Sequence, residues 1–375
     1  MPSTRIPACF MRGGSSKGVF FTADDLPAAH ALWDPLFLSV IGSPDPYERQ
    51  LNGMGGGVSS LSKAAVISAS LREEADLDFT FAQVSVAKAL VDYSSNCGNL
   101  SSAVAPFALE RGLIRRDDGP ASVRIFNTNT NKMLIAQLEV SEGRAVESGA
   151  FAIPGVAGTG SPIRLDFLDP AGAGTGRLLP SGNLKDLIEA EDGRVFEASL
   201  IDVGNPCVFL DAGAFGRSGN ETIRDLESDT ALTILLEDLR RKAAVLMGLA
   251  DEESAAPAAV PKIAFVGTPL SAKDLAGKAI DPAAADLAVR MLSMENVHRV
   301  LPLTGAMCTA VASRIPGTVP AGLARKSDGD VRLANPSGIL PIGTDVSLDG
   351  APTVRSVSVT RTARLLMTGE VVVPA

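Results

Sequence analysis

The sequence has few of the residues that bind metal ions or form disulfide bridges. It contains two histidines and four cysteines in 375 residues, and the cysteines (Cys9, Cys97, Cys207 and Cys308) form no Cys-x-x-Cys pair. A structural zinc site needs closely spaced thiolate and imidazole ligands, and disulfide frameworks belong mainly to small secreted domains. We therefore expect no metal centre and no disulfide framework, and metal-dependent catalysis is disfavoured.

Long apolar runs and an excess of positive charge are also missing. No stretch of about 18 apolar residues occurs that could span a membrane, and no apolar signal sequence follows the first residues. The net charge of −9 argues against binding to nucleic acids or anionic membranes through bulk electrostatics. We expect a cytoplasmic protein that binds neither.

Aromatic residues make up only 5% of the chain, so the core must consist mainly of Val, Leu, Ile and Ala. The 36 glycines and 24 prolines indicate many turns and favour a strand-rich fold over a helical bundle. At roughly 150 residues per domain, the length suggests two domains or three. Periodicity and capping residues predict helices over residues 24–40, 97–111, 226–249, 281–298 and 304–312.

The two halves of the sequence resemble each other weakly. Each opens with a strand, a glycine turn and a second strand, at residues 13–21 and again at 204–210. Each later has a cysteine, Cys97 or Cys308, which we place at the start of a helix of small residues. These matches predict an internal duplication.

A loop rich in Gly, Pro and Ala covers residues 154–183 and is the best candidate for a crossing between domains. We therefore predict an N-terminal domain over residues 1–182 and a similar C-terminal domain over 183–375. The last strands of the chain are free to return to the first domain. A cleft between the domains would receive one cysteine from each.

Cys97 is predicted to stand at a helix start, directly after a strand and a short polar segment. Unpaired amides at a helix N-terminus favour a thiolate and can bind a carboxylate. Gly98 would let a substrate approach the backbone, and Asn96 and Asn99 offer side-chain amides. A free cysteine is commonly a small buried hydrophobic residue, so its position alone leaves both roles open.

Lys63 opens an apolar strand, which is a poor place for a merely solvated charge. Partial burial would lower its pKa and make its amine a usable proton carrier near neutral pH. The alternative is a lysine at the end of a strand whose head group reaches water. Taken alone, that alternative is favoured.

The glycine-rich turn over residues 12–18 carries three polar donors, Ser15, Ser16 and Lys17, which could bind a carboxylate or a phosphate. It is not a P-loop, because the spacing Gly-x-x-x-x-Gly-Lys-[Ser/Thr] is absent. A second glycine run over residues 53–57 does not match a dinucleotide fingerprint, since Val58 stands where the third glycine would fall.

Several short motifs occur in order over nearly the whole chain. They are Met11-Arg12-Gly13-Gly14-Ser15-Ser16-Lys17-Gly18, Gly42-Ser43-Pro44-Asp45, Ser62-Lys63, Asn96-Cys97-Gly98-Asn99, Asn127-Thr128-Asn129-Thr130, Leu179-Pro180-Ser181-Gly182-Asn183, Gly204-Asn205-Pro206 and Ile315-Pro316-Gly317-Thr318. Through them the sequence resembles the 2-methylaconitate isomerase (PrpF) family. That family also includes methylitaconate Δ-isomerase and 4-oxalomesaconate tautomerase.

The resemblance implies an α+β, diaminopimelate-epimerase-like fold. In this fold two pseudo-symmetric domains, each a curved and mostly antiparallel sheet around a central helix, hold the active site in the cleft. The resemblance also implies that Lys63 and Cys97 are the catalytic pair and that no cofactor or metal takes part. The implied substrate-binding residues are Ser15, Ser16, Lys17, Asn96, Gly98, Asn99, Met307 and Cys308.

The activity implied is proton transfer on an aconitate-like unsaturated polycarboxylate such as 2-methylaconitate. A proton allylic to a carboxylate is weakly acidic, and amides at a helix N-terminus would stabilise the dienolate formed on its removal. Lys63 would remove or return the proton, with Cys97 as its partner acid or base.

Several alternatives stay open. The segment Ser59-Ser60-Leu61-Ser62-Lys63 is closer to the methylaconitate branch than to the tautomerase branch of the family. Methylitaconate Δ-isomerase and oxalomesaconate tautomerase activities nevertheless stay open as alternative hypotheses. Cys308, taken as the counterpart of the second cysteine of the epimerases, could form a two-cysteine site. Amino-acid racemisation and a non-catalytic role beside an iron–sulfur dehydratase are further readings, and a homodimer is expected.

Overall fold

The computed structural model describes residues 3–293 and 296–374. The strands in these ranges are β1 (Thr4–Gly13), β2 (Ser16–Thr22), β3 (Lys63–Ala69), β4 (Leu77–Val84), β5 (Val91–Asp92), β6 (Gly119–Asn127), β7 (Lys132–Ser141), β8 (Arg144–Ala145), β9 (Ile163–Leu168), β10 (Asp186–Glu189), β11 (Val195–Val203), β12 (Asn205–Asp211), β13 (Lys262–Gly267), β14 (Ala272–Lys273), β15 (Ala279–Ile280), β16 (Leu287–Ser293), β17 (Asn296–Val297), β18 (Val331–Asn335), β19 (Gly338–Ser347), β20 (Thr353–Arg361) and β21 (Ala363–Val373). The α-helices are α1 (Trp33–Ile41), α2 (Gly98–Glu110), α3 (Ile223–Glu227), α4 (Thr230–Leu246), α5 (Leu303–Arg314) and α6 (Val319–Leu323).

The helices predicted over residues 97–111, 226–249 and 304–312 are confirmed as α2, as α3 with α4, and as α5. The helix predicted over residues 24–40 forms only in its second half, as α1, and short 3-10 turns precede it. Pro27 lies within the missing half, where its ring and its lack of an N–H disfavour a helix interior.

The helix predicted over residues 281–298 is wrong, because the described part of that range holds a 3-10 turn at Pro282–Ala284 followed by the strands β16 and β17. Residues 294 and 295 lie outside the described residues. Every residue from Leu287 to Leu292 is buried. A run buried on both faces has neither a helical nor a strand period, so the sequence pattern could not distinguish the two structures.

The chain divides into two compact units. The first consists of Met1–Asp166 with Thr360–Ala375, and the second is Phe167–Val359. The division therefore falls inside β9 rather than after residue 182, so residues 167–182 belong to the second unit. The last strand, β21, belongs to the first unit because it pairs antiparallel with β1 along almost its whole length.

In the first unit, the order of pairing is β1–β2 antiparallel, β2–β3 parallel, β3–β4 antiparallel, β4–β6 parallel and β6–β7 antiparallel. In the second unit, β11, β12, β13, β16, β18 and β19 repeat the same alternation of antiparallel and parallel pairs. The short strands β5 and β17 pair with corresponding neighbours, β4 and β16. This shared order is the structural form of the internal duplication.

Each unit has one helix buried within its sheet, α2 in the first and α5 in the second. All residues from Gly98 to Leu109 are buried, and α2 contacts β1, β2, β3 and β21. All residues from Leu303 to Ala312 are buried, and α5 contacts β11, β12, β18 and β19. Apolar or small residues on every side are typical of a helix with no solvated face. A second helix, α1 or α4, packs against the other face of each sheet.

Candidate active site

The pleat of β2, β3 and β4 places every second side chain on the face that meets α2. In β2, Gly18 lies on this face, since an added Cβ would be 2.9 Å from the Lys63 carbonyl and 3.1 Å from Leu100 Cδ1 of α2. Because Gly18 has no side chain, β3 and α2 can approach each other here. Ser16 shares this face by its even spacing from Gly18, and it is buried.

Lys63 begins β3 and is only 7% exposed. Its Nζ atom donates a 2.6 Å hydrogen bond to Gln83 Oε1 and lies 4.8 Å from the centroid of the Phe81 ring. Burial lowers the pKa of Lys63, while the neighbouring Cys97 side chain opposes this shift through charge and a hydrogen bond. Lys63 is therefore buried, and the alternative favoured from its position alone, a head group that reaches water, is wrong.

Gln83 is directly opposite Lys63 in the β3–β4 pair and is 5% exposed. Its Nε2 donates 3.0 Å hydrogen bonds to the carbonyl oxygens of Ser59 and Ser62. These two bonds orient the amide, so its oxygen must face the lysine. Gln83 therefore holds the amine without adding a negative charge that would favour the protonated form.

Cys97 is the N-cap residue of α2, with φ −108° and ψ 88°, and it is 8% exposed. Its carbonyl accepts the first intrahelical hydrogen bond, from Ser101 N at 3.1 Å. The amides of Gly98, Asn99 and Leu100 precede that bond and form the positive end of the helix dipole. The structure thus brings Lys63 and Cys97 together at the start of α2.

The segment that leads into Cys97 is held by the motif Asn127-Thr128-Asn129-Thr130. Asn127 Nδ2 donates to Asn96 Oδ1 at 3.2 Å. Asn129 Nδ2 donates to the carbonyl oxygens of Phe81 and Tyr93, and its Oδ1 accepts from Phe81 N. Asn96 Oδ1 is therefore engaged in supporting the loop.

The β1–β2 turn lies against the first turn of α2. A Cβ at Gly13 would be 2.7 Å from the Asn99 carbonyl, and one at Gly14 would be 2.3 Å from Asn99 Oδ1. Gly14 also has a φ of 51°, which glycine adopts at little cost. Ser15 N donates to Asn99 Oδ1 at 3.4 Å. Ser15, Gly98 and Asn99 are consequently close neighbours, as the predicted carboxylate site requires.

Lys17 is not on this face. It alternates with Ser16 and Gly18, and its Nζ lies 5.4 Å from the Phe10 ring centroid. Phe10 packs against the core cluster that contains Phe37 of α1. Adjacent residues of a strand point to opposite faces, so Ser16 and Lys17 cannot both face α2.

Met307 and Cys308 lie in the second unit, inside α5 rather than at its start, so the predicted position of Cys308 is wrong. Both side chains are 0% exposed. The Cys308 thiol donates to the Ile201 carbonyl at 3.3 Å, and burial raises its pKa well above the ordinary value. This environment suits a core thiol and opposes proton exchange at neutral pH.

A sequence match between the two buried helices separates the two cysteines. Ala103-Val104-Ala105 of α2 matches Ala310-Val311-Ala312 of α5, and Gly98 then matches Gly305. Cys97 is therefore the counterpart of Thr304, whose hydroxyl accepts a 3.0 Å hydrogen bond from Asn205 Nδ2. Cys308 matches Ser101, one turn further along the helix.

Replacing Cys308 with alanine is expected to leave turnover at the wild-type rate and to cost about 1 kcal/mol of stability, because it removes only core contacts. Thermal unfolding and initial rates of the purified variant check both effects. A large loss of turnover in a well-folded variant would show that Cys308 takes part in the reaction.

Gln83 is not among the residues predicted from the sequence. A weak signal is present, since Gln83 is a polar residue in the mainly apolar strand Phe79-Thr80-Phe81-Ala82-Gln83-Val84. Its importance depends on the β3–β4 register, which places it opposite Lys63.

Among residues 3–293 and 296–374, no group of three or more His, Cys, Asp and Glu side chains is arranged to hold a metal ion. None of the helices in these ranges combines the length and apolar character required to cross a bilayer.

Comparison with known proteins agrees with the geometry. The family described as "PrpF protein" matches residues 3–374. The chain belongs to the PrpF family. It is 40% identical to 3-methylitaconate isomerase of Eubacterium barkeri, covering 98% of this chain and 97% of that protein. It is also 40% identical to 2-methyl-aconitate isomerase of Shewanella oneidensis, covering 100% and 98%.

Solved structures give the same result for the fold of this PrpF family member. A methylitaconate-delta-isomerase matches with a TM-score of 0.80 and 39% identity, covering 100% of this chain and 96% of that one. A hydroxyproline epimerase from Agrobacterium vitis matches with a TM-score of 0.57 at 12% identity, covering 98% and 92%. The predicted α+β, diaminopimelate-epimerase-like fold is confirmed.

Proposed function

We propose that this protein is an isomerase that moves a proton on an aconitate-like unsaturated polycarboxylate such as 2-methylaconitate. The observation that carries the proposal is a buried lysine beside a cysteine at a helix N-terminus, within a chain of the PrpF family. The reaction needs a base for a weakly acidic C–H group and a positive environment for the anion that forms. The first unit contains both.

Lys63 is suited to the role of base because burial favours its neutral amine. In the proposed reaction, this amine removes a proton from the carbon allylic to a substrate carboxylate, and the electron pair moves into the conjugated system. Return of a proton at the other end of the system, from Lys63 or Cys97, shifts the double bond. If the proton returns to the original carbon after bond rotation, the result is cis–trans isomerisation.

The first turn of α2 would stabilise the intermediate. Removal of the proton places negative charge on the carboxylate oxygens of a dienolate, and the amides of Gly98, Asn99 and Leu100 supply positive ends of dipoles beside Cys97. Ser15 lies next to this turn, and Ser16 is buried on the same face of β2 as Gly18. The amides are fixed before the substrate arrives, so little reorganisation is needed during the reaction.

The proposal is tested by proton NMR in deuterated buffer with a panel of acids: 2-methyl-trans-aconitate, cis- and trans-aconitate, methylitaconate and oxalomesaconate. We expect isomerisation of at least one member, with deuterium entering the carbon that receives the returning proton. Methylitaconate Δ-isomerase or tautomerase activity would appear as a different preferred acid. No exchange with any member would contradict the proposed function and favour the non-catalytic role beside a dehydratase.

A homodimer and a cofactor-free reaction remain part of the proposal. Dialysis against a chelator should leave the rate unchanged, and addition of metals or nucleotides should not increase it.

A further inference from the structure

Arg361 is a buried cation in the first unit, at the end of β20 and only 5% exposed. Its Nε donates to Asn99 Oδ1 at 3.3 Å, and its Nη1 donates to the Thr360 carbonyl at 3.0 Å. Both acceptors are neutral. Among the described residues, no carboxylate forms an ion pair with Arg361, and its Nη2 has no protein hydrogen-bond partner.

The other buried arginines of the described chain each have a carboxylate nearby. Arg240 is 3% exposed and pairs with Glu237 through both Nε and Nη2. Arg290 is 3% exposed, and the charge of Glu221 partly offsets the effect of its burial. For Arg361, burial alone lowers the pKa to about 10, and no neighbouring charge opposes it. The guanidinium therefore stays protonated at neutral pH without a counter-ion.

A buried charge is costly unless an opposite charge and hydrogen bonds compensate for it. The fold nevertheless keeps Arg361 in place, with Asn99 as its anchor. Asn99 Oδ1 also accepts the Ser15 amide, so one side chain joins the arginine, the β1–β2 turn and the first turn of α2. Gly14 also lies against the arginine side chain, since an added Cβ would be 3.2 Å from Arg361 Cδ.

We propose that Arg361 binds a carboxylate of the substrate, and that this carboxylate is the missing counter-ion. The inference deepens the proposed function and rests on it for the class of ligand, a polycarboxylate. A guanidinium binds a carboxylate through charge-assisted and often paired hydrogen bonds, and its planar fork fixes the orientation of the acid. Arg361 would therefore orient the substrate while Lys63 and Cys97 transfer the proton.

The test measures binding apart from turnover. The probe is tricarballylate, a saturated tricarboxylate that has no allylic proton, and its affinity is measured by titration calorimetry. Arg361→Met is expected to weaken binding by about 10- to 100-fold, as for the loss of hydrogen bonds to a charged group. Arg361→Lys keeps the charge but loses the fork, so we expect an intermediate affinity.

A matched control is Arg111→Met, which removes another arginine of the same unit, one that pairs with Asp25 at 2.9 Å. Its affinity for tricarballylate should equal that of the wild type. Glutarate and 2-methylsuccinate each lack one carboxylate of tricarballylate. For one of these two acids, the loss caused by Arg361→Met should shrink, because the group that Arg361 binds is absent.

Three results would overturn the inference. The wild type fails to bind tricarballylate, Arg361→Met binds it as tightly as the wild type, or the variant loses the same factor for all three acids. The last result would mean that Arg361 only supports the fold around Asn99. If tricarballylate binding depends on Arg361 but no acid of the NMR panel is isomerised, the carboxylate site stands and the proposed function fails.

Discussion

Replacing Lys63 with methionine is expected to lower turnover by roughly 10²- to 10⁴-fold, the usual contribution of a general acid or base. Methionine has a similar length and no proton to exchange. Initial rates by NMR on the preferred acid measure the effect. Tricarballylate affinity should change little, because Lys63 contributes to proton transfer rather than to holding the acid. If the variant keeps wild-type turnover, Lys63 is not the base of the reaction.

The same substitution is expected to stabilise the fold at neutral pH. Burial lowers the pKa of Lys63 in the folded state, so the unfolded chain binds this proton more tightly. Below the folded pKa this difference destabilises the protein, and the cost disappears as the pH rises from the folded pKa to the ordinary lysine value. Lys63→Met removes the cost, so its unfolding temperature should exceed that of the wild type at pH 7.

Gln83 allows a pH test of the same lysine. If neutral Lys63 is the base, the rate rises with pH through its pKa. Gln83→Glu places a carboxylate against Nζ, which favours the ammonium form and raises the pKa. The rising limb of the pH–rate profile should therefore move to higher pH. If the rising limb stays at the same pH in a folded variant, the titrating group that produces this limb is not Lys63.

Replacing Cys97 with alanine is the second change with a large expected effect, again roughly 10²- to 10⁴-fold in turnover. The thiol is the proton-transfer partner in the proposed reaction and lies beside the Lys63 amine. Cys97→Ser keeps the size of the side chain, but a hydroxyl ionises far less readily than a thiol, so it should recover little of the rate.

The matched control for Cys97 is Cys308→Ala, which removes a thiol from the equivalent helix of the second unit. Alkylation gives an independent readout. Iodoacetamide should inactivate the wild type through Cys97, and tricarballylate should slow this inactivation. Full activity in Cys97→Ala would contradict the proposed reaction, whatever the outcome of alkylation.

The two residues singled out most firmly from the sequence, Lys63 and Cys97, are neighbours in the structure. Their signals are local: a lysine that opens an apolar strand, and a cysteine that precedes a helix of small residues. The strand-rich composition and the weak duplication are local or periodic features too. The family motifs connect these features to one fold.

The structure places two of the predicted binding residues, Lys17 and Cys308, apart from the start of α2. Lys17 is adjacent to Ser15 and Ser16 in the chain, but the pleat of β2 directs Lys17 to the face of Phe10. The sequence predicts Cys308 at a helix start like Cys97, but α5 begins at Leu303, and the buried thiol donates a hydrogen bond to the Ile201 carbonyl. In both cases the position depends on side-chain direction or on where the helix begins, which residue type alone does not determine.

The sequence by itself determined the secondary structure of most segments, the duplicated organisation and the identity of a lysine and a cysteine with reactive potential. These depend on interactions between residues close together in the chain. The tertiary structure alone decided that Gln83 faces Lys63 and that Arg361 reaches Asn99 from the other end of the sequence. Such contacts depend on strand register and on the return of the C-terminal strands to the first unit. No local pattern encodes either feature, because the interactions that select them form only when the whole sheet closes around α2.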